Sequence, residues 1–512
     1  MRRLKGTTST VGVWLGPAAA LALMVLADLD PERASVTAMA AVAVWMAVWW
    51  MTEAVPLAVT ALLPVALYPL LGIMSSKAIA PYYFNSIIFL FLGGFMVALA
   101  MERWGLHRRI ALRIITAIGG GPERIVLGFM IAAAFLSMWI SNTATAMMMA
   151  PIAMAVVKGL GRDSEDAQDD GRRRRFAVAL LLGTAYGCSV GGLATLIGTP
   201  PNPLLVSNLQ LLFPEAPEIS FAGWMVIGLP VSAVMLVVIW GLLTVLFGLR
   251  RLGDLIDRRV FAAERARLGP PSFEEKVVFV DFVLLALLWL TRSGLRLGVT
   301  TLPGWSALLP DGALVDDGTV AIVMALLLFL VPSRVMAGVR VMDWRTARKL
   351  PWAIVLLFGG GFALAKGFVD AGLSDWLGAR MAGLSALPPV LMVLGVCLIM
   401  TFLTELTSNT ATTQMALPVV ASVAVAIGVN PLLLMVPATL SASCAFMLPV
   451  ATPPNAIIFG TEMIEIREMA RAGIVLNLVG ALVITAAIYL LGAAAFGGDM
   501  GTTPVWAVGG AP

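Results

Sequence analysis

The chain alternates long apolar runs with short charged loops. Residues 87–100, 176–196, 223–249, 321–331, 353–364 and 474–495 are almost continuously hydrophobic, without the two-residue alternation of a strand that has one wet face. A helix of about 20 residues crosses a bilayer core, so the pattern predicts about eleven transmembrane helices. A membrane β-barrel would instead show short alternating segments.

Inside these runs polar residues recur in a fixed order. Ser-Asn-Thr-Ala-Thr stands at 141–145 and again at 408–412, Thr-Pro-Pro-Asn at 199–202 and 452–455, and Gly-Gly-Phe ends at Phe95 and at Phe362. Phe95 precedes Asn142 by 47 residues and Phe362 precedes Asn409 by the same 47. Such spacing marks a duplicated unit. Asn142 to Thr199 is 57 residues but Asn409 to Thr452 is 43, and the excess matches a charged insert at 161–175, read as a solvated loop.

Charge orients the two units. Basic clusters at 2–5, 103–124, 158–175, 250–276, 334–349 and 467–471 hold most of the 34 Lys and Arg. The positive-inside rule places these loops and the N-terminus in the cytoplasm, and the C-terminus, with no Lys or Arg after Arg471, outside. Basic clusters flank the first Ser-Asn-Thr segment and not the second, so one unit enters the membrane from inside and the other from outside.

The expected organisation is an all-α polytopic membrane protein with two re-entrant hairpins in two inverted-topology repeats. Residues 1–52 form an N-terminal segment and first spans. Residues 53–249 form the first repeat with an inner hairpin at 125–157, residues 250–275 a cytoplasmic linker, and residues 276–512 the second repeat with an outer hairpin at 387–427. The prolines of Thr-Pro-Pro-Asn are expected to break a helix in each repeat. Irregular backbone at membrane depth must line protein or water, so the two tips and two breaks should converge. Inverted repeats whose ion and substrate sites meet near the midplane are a transporter architecture.

Composition agrees: 60% hydrophobic and 12% charged residues with a mean hydropathy of +0.94 describe a multi-pass protein of the cytoplasmic (inner) membrane, with membrane lipid as its surroundings. The pI of about 9.1 arises in the topology loops, so no nucleic-acid partner is expected. The apolar stretch 11–26 is read as an uncleaved span, since no small-x-small cleavage site follows it. Cys188, Cys397 and Cys444 lie in apolar segments at no metal-ligand spacing and read as small buried hydrophobes. Gly187-Cys-Ser-Val-Gly191 matches a hydrolase nucleophile elbow, but that motif needs a strand-to-helix turn and a base, and the one histidine, His107, lies in a cytoplasmic cluster. No enzyme activity is expected. Glu53, Lys366 and Glu405 are ionisable groups in or beside apolar segments. Glu405 is a candidate support for the outer hairpin, whereas Glu53 and Lys366 read as interfacial. Arg172 to Arg175 read first as a topology determinant and second as a contact for anionic lipid.

The repeated motifs carry hydroxyls, amides and free backbone groups but no Lys or Arg. Their oxygens suit a hard cation such as Na⁺, while hydroxyls, amides and half-helix N-termini suit an anion. A dianion held by neutral donors needs companion cations, which predicts coupled Na⁺ and no other cofactor. Ser, Thr and Asn also glue membrane helices together, but four motif copies at matched positions argue for a site.

The segments Ile140-Ser-Asn-Thr-Ala-Thr145, Ile197-Gly-Thr-Pro-Pro-Asn202, Thr407-Ser-Asn-Thr-Ala-Thr412 and 446–456 resemble the signatures of the divalent anion:sodium symporter family, over nearly the whole chain. The resemblance implies a carrier of dicarboxylates, citrate or sulfate that works as a homodimer, with a scaffold and an elevator-like transport domain. It implies one Na⁺ site at Ser137, Ser141, Asn142 and the backbone of Gly198, and a second at Thr404, Thr407, Asn409 and the backbone of Ala451. It places the substrate between Ser141, Asn142 and Thr143 on one side and Ser408, Asn409 and Thr410 on the other, with Thr199, Pro200, Thr452 and Pro453 completing the pocket. The function expected is Na⁺-coupled import of C4-dicarboxylates such as succinate, fumarate or malate. A Na⁺-independent exchanger or a sulfate carrier of the same fold, an anion channel and a membrane-embedded hydrolase are the alternatives.

Overall fold

The computed structural model describes residues 2–158, 167–251, 265–297, 300–381, 383 and 386–508. Residues 161–166 of the charged insert and 252–264 of the linker expected at 250–275 lie outside these residues, and the rest of the insert is not the loop expected but the start of the helix Ala167–Gly191.

The described chain is helical apart from one two-stranded antiparallel ribbon, Leu295–Leu297 with Thr300–Leu302, a small departure from the all-α expectation. Among the described residues six helices are long and apolar enough to cross a membrane: Ala34–Thr52, Ser76–Arg103, Gly171–Ala194, Phe221–Leu246, Trp352–Asp370 and Ile466–Phe496. Five shorter apolar helices accompany them, among them Pro389–Thr404 and Pro431–Ala442. Gly171–Ala194 is buried along its whole apolar window, so this helix faces protein rather than lipid. That explains a sequence apolar on every side.

The Gly-Gly-Phe motifs are packing points. A Cβ on Gly93 would lie 2.5 Å from the backbone of Ala321, and one on Gly360 would lie 2.4 Å from the carbonyl oxygen of Ala61. At both, two helices approach so closely that only glycine fits. The helix carrying Gly360 bridges two apolar clusters, giving Phe358 and Phe362 to the main one and Leu357 and Phe368 to a smaller one with Val36, Met39 and Tyr68.

Both Ser-Asn-Thr segments lie at the turn between two helices. The first joins Pro122–Ser137 to Asn142–Lys158, and the second joins Pro389–Thr404 to Asn409–Ala426. The helix is interrupted at both Thr-Pro-Pro-Asn motifs, as expected, but the prolines lie after the interruption and start the helices Pro201–Leu212 and Pro453–Phe459. Proline's missing N–H costs nothing in a first helical turn. The irregular backbone lies just before them, at 195–200 and 443–452.

Ion pairs join separate elements at Arg174 and Arg292 and lie within one helix at Lys366. Arg174 meets both Glu465 and Glu468 at 2.8 Å, which engages it in the protein rather than leaving it for lipid. Lys366 pairs with Asp370 at 2.6 Å. Arg292 bridges Asp317 and Glu218, and Asp317 Oδ2 accepts from the backbone N–H of Phe221 at 2.9 Å. In the loop after Ser333, burial raises the Asp343 carboxyl, but the Thr346 amide and hydroxyl and the Arg103 guanidinium outweigh it and hold the group below its ordinary value.

Candidate functional site

Each hairpin tip closes on its own asparagine. Ser137 Oγ, on the last helical residue of the first arm, donates to Asn142 Oδ1 five residues on. Thr404 Oγ1 donates to Asn409 Oδ1 at 2.7 Å over the same separation, and also to the carbonyl of Ala442 at 2.9 Å. Ser141 Oγ accepts from the Ala144 amide at 3.2 Å and so starts the second arm.

The Asn142 amide sits where Ser137 Oγ and the carbonyls of Cys188 and Gly198 converge. With Nδ2 toward them it donates to Cys188 O at 3.3 Å and to Gly198 O at 3.2 Å. With Oδ1 toward them, amide, hydroxyl and carbonyl oxygens face one another with few hydrogens to share. Oxygens so arranged suit a hard cation, which binds hydroxyl, amide and backbone oxygen. Glycine is required nearby, because a Cβ on Gly198 would lie 2.5 Å from Gly192 O and one on Gly192 would lie 2.7 Å from Asn142 Oδ1.

The irregular segments are clamped alike. Asn202 Nδ2 donates to Gly192 O and Thr195 O at 3.1 and 2.7 Å, and Asn455 Nδ2 donates to Ala445 O and Leu448 O at 3.1 Å each. Both asparagines are fully buried, and Oδ1 of each has no hydrogen-bond partner among the described residues. Thr452 Oγ1 caps the helix Pro453–Phe459 by accepting from the Asn455 amide at 3.3 Å. Thr195 Oγ1 reaches the carbonyl of Met138 in the first turn.

The halves meet crosswise. Pro201–Leu212 of the first half packs on Asn409–Ala426 of the second, and Pro453–Phe459 of the second packs on Asn142–Lys158 of the first. Thr199 Oγ1 lies 3.4 Å from Ser443 Oγ, and the buried Tyr186 hydroxyl donates to Phe446 O at 2.8 Å. Ser137, Asn142 and Gly198 thus come together, as do Thr404 and Asn409. Thr407 bonds instead to Leu403 O and to Thr412 Oγ1, and no hydrogen bond joins Ser141, Asn142 or Thr143 to Ser408, Asn409 or Thr410 among the described residues. Of the proposed pocket's other members, Thr199, Thr410, Ala451 and Thr452 are buried, Pro200 is half-buried and Pro453 is exposed.

Glu405 holds the second half in a way the first half does not share. One carboxylate accepts the backbone N–H groups of Phe446, Met447 and Leu448 at 2.7, 2.9 and 3.0 Å and the Asn477 amide at 2.8 Å. The residue at the matching place in the first tip is Met138. Sequence marked Glu405 but gave no sign of Tyr186 or Asn477; only the matched position of Asn202 and Asn455 in their motifs could have flagged the clamps.

Two Staphylococcus proteins, each described as a sodium-dependent dicarboxylate transporter, are similar over nearly the full length. The one from S. saprophyticus is 43% identical over 488 residues, 94% of this chain and 91% of the relative, and the one from S. aureus (MRSA252) is 43% identical over 489 residues, 95% and 91%. The solved YdaH transporter of Alcanivorax borkumensis has the same fold at a TM-score of 0.52 and 13% identity, over 82% of this chain and 86% of that one. MtrF of Neisseria gonorrhoeae aligns at 0.56 and 13% identity, over 81% and 83%. Residues 14–495, holding both hairpins and both clamps, match the sodium:sulfate symporter transmembrane region, and the chain therefore belongs to that family, the divalent anion:sodium symporters.

Proposed function

We propose that this protein imports C4-dicarboxylates such as succinate, fumarate or malate into the cell by Na⁺-coupled symport. The carrying observation is the convergence of Asn142, Ser137 and the Gly198 carbonyl, with the partial counterpart at Thr404 and Asn409, in a centre whose motifs contain no Lys or Arg. Neutral hydroxyls and amides can hold a dianion reversibly only with cations close by, and these oxygens supply places for them. The naming of the Staphylococcus relatives supports both halves of the reading.

In this reading Ser137, Ser141, Asn142 and Gly198 hold one Na⁺, and Thr404, Thr407, Asn409 and Ala451 hold another. Substrate carboxylates meet Ser141 to Thr143 and Ser408 to Thr410 beside Thr199, Pro200, Thr452 and Pro453. The repeats at 53–249 and 276–512 have opposite orientation, the C-terminus lies outside, and a homodimer carries out an elevator movement; these follow from the charge pattern and the family resemblance. The family description names sulfate, so sulfate is the competing substrate. Uptake of labelled succinate into proteoliposomes should concentrate substrate under an inward Na⁺ gradient, and unlabelled sulfate should compete weakly. Equal uptake in choline would establish the exchanger instead.

A further inference from the structure

The helix Leu106–Ile118 is the most strongly amphipathic among those described, with Leu106, Ala111, Leu112 and Ile115 buried, Arg109 half-buried and Arg113 exposed. By the charge pattern it lies at the cytoplasmic surface, the usual place for a helix of this kind. Beside it opens a cavity of 660 Å³, bounded by this helix, by Ile125 of the first hairpin's leading arm and by residues 265–271. Its walls combine an apolar floor of Leu112, Ile115, Ile125 and Leu268 with the guanidinium groups of Arg109, Arg113 and Arg265.

The three arginines are not equivalent. Arg109 is committed to the protein: Nε and Nη2 donate to Glu275 at 3.2 and 2.9 Å, Nη1 to Gly269 O at 3.0 Å and Nη2 to Leu268 O at 3.2 Å. Its charge is matched and its position fixed. Arg113 and Arg265 are exposed, and neither side chain has an ion pair or hydrogen bond among the described residues. Glu123, the acid at the start of the hairpin arm, lies against Gly121 and does not line the cavity. Among the described residues, Arg113 and Arg265 therefore stand unpaired at the mouth of an apolar cavity.

We propose that this cavity binds an anionic phospholipid, with the phosphodiester between Arg113 and Arg265 and the first acyl carbons against Leu268 and Pro271, above the buried Leu112, Ile115 and Ile125. A free phosphate would use the charges but leave the floor unmatched. A zwitterionic lipid would match the floor but bring a compensating cation to the arginines. Basic pockets on the cytoplasmic side of helical membrane proteins take such headgroups on this physical basis. The bound lipid ties Leu106–Ile118 to residues 265–271 where the first hairpin begins.

The test uses the purified full-length protein in detergent, stripped of lipid and titrated separately with phosphatidylglycerol, phosphatidylcholine and glycerol 1-phosphate. Native mass spectrometry reads retained lipid, and the melting temperature reads stabilisation. Phosphatidylglycerol should be retained and should raise the melting temperature, with the other two ligands doing neither. R113Q/R265Q should bind phosphatidylglycerol about thirtyfold more weakly, from about fivefold per interfacial charge. R113K/R265K should bind within a few-fold of the parent, and R345Q/R348Q, at another exposed cytoplasmic pair, should be unchanged. Equal retention of phosphatidylcholine, equal stabilisation by glycerol 1-phosphate, or an equal loss in R345Q/R348Q overturns the proposal. If R113Q/R265Q does not fold, the three-ligand comparison on the parent protein decides it alone.

Discussion

Asn202 and Asn455 hold their own chains in the same way, each donating its amide to the carbonyls ten and seven residues before it. Three of these carbonyls belong to the irregular segments that precede the two Pro-Pro helices and present Gly198 and Ala451, and the fourth, Gly192 O, lies in the helical turn that leads into the first. Both amides are buried, so no water replaces them when they are removed. Asn202→Ala and Asn455→Ala each orphan two buried acceptors, at about 1–3 kcal/mol apiece. Each variant should melt well below the parent in detergent and lose concentrative uptake. Normal transport by either one would reject the clamp.

A carboxylate does a comparable job at Glu405. Its two oxygens accept three backbone N–H groups and the Asn477 amide, and a glutamine there turns one acceptor into a donor pointed at donors. Breaking a buried charge network by altering one partner costs about 3–5 kcal/mol. Glu405→Gln should therefore be destabilised, and in the folded fraction half-saturation by Na⁺ should shift to higher concentration. Glu405→Asp, a methylene short of its donors, should not rescue it. Unchanged Na⁺ dependence in Glu405→Gln would assign the residue to stability alone.

The two helix-to-helix turns were marked in the sequence by spacing: each polar motif stands 47 residues after a Gly-Gly-Phe motif, from its Phe to its Asn. The prolines marked both helix interruptions but not their side, since Pro-Pro signals a helix boundary without saying which side is helical, and here it opens the helix. Glu405 stood out as a charge in an apolar run, but its partners are backbone N–H groups 41 to 43 residues away, which no side-chain pattern announces. The bond from Tyr186 to Phe446 spans 260 residues and exists only because the two halves pack crosswise. The sequence led to the expectation that the two tips and breaks converge but named none of the side chains that join the halves.

His107 is the only histidine and lies in Leu106–Ile118, where Nδ1 donates to Met101 O at 3.0 Å. Burial, ahead of the opposing pulls of the Met101 bond and Glu102, lowers its pKa below 6.5, with Arg108 acting in the same direction. The folded protein thus takes up this proton less readily than the unfolded chain. The stability His107 confers is present above pH 6.5 and is lost as pH falls through the folded-state pKa. The melting temperature should drop over that window, and the drop should be smaller in His107→Gln. An identical pH profile in both proteins would remove His107 as its source.

Gly198 joins structure to coupling. Its carbonyl is one of the oxygens converging on Asn142, and a Cβ there would lie 2.5 Å from Gly192 O, a backbone atom that cannot swing aside. Gly198→Ala should distort the first cation site and leave the Thr404 and Asn409 cluster intact. If two cations accompany each dianion, succinate affinity in the parent rises with about the second power of Na⁺ concentration, and by linkage succinate tightens Na⁺ equally. In Gly198→Ala that slope should fall toward one, with succinate binding weak at any Na⁺ concentration that saturates the parent. Two Na⁺ per dianion carry no net charge, so binding and transport should also be indifferent to potential; a third would add about 2.3 kcal/mol per 100 mV. Isothermal titration of purified protein with succinate across a Na⁺ series measures the slope directly. A slope unchanged by Gly198→Ala would move the first cation away from Asn142.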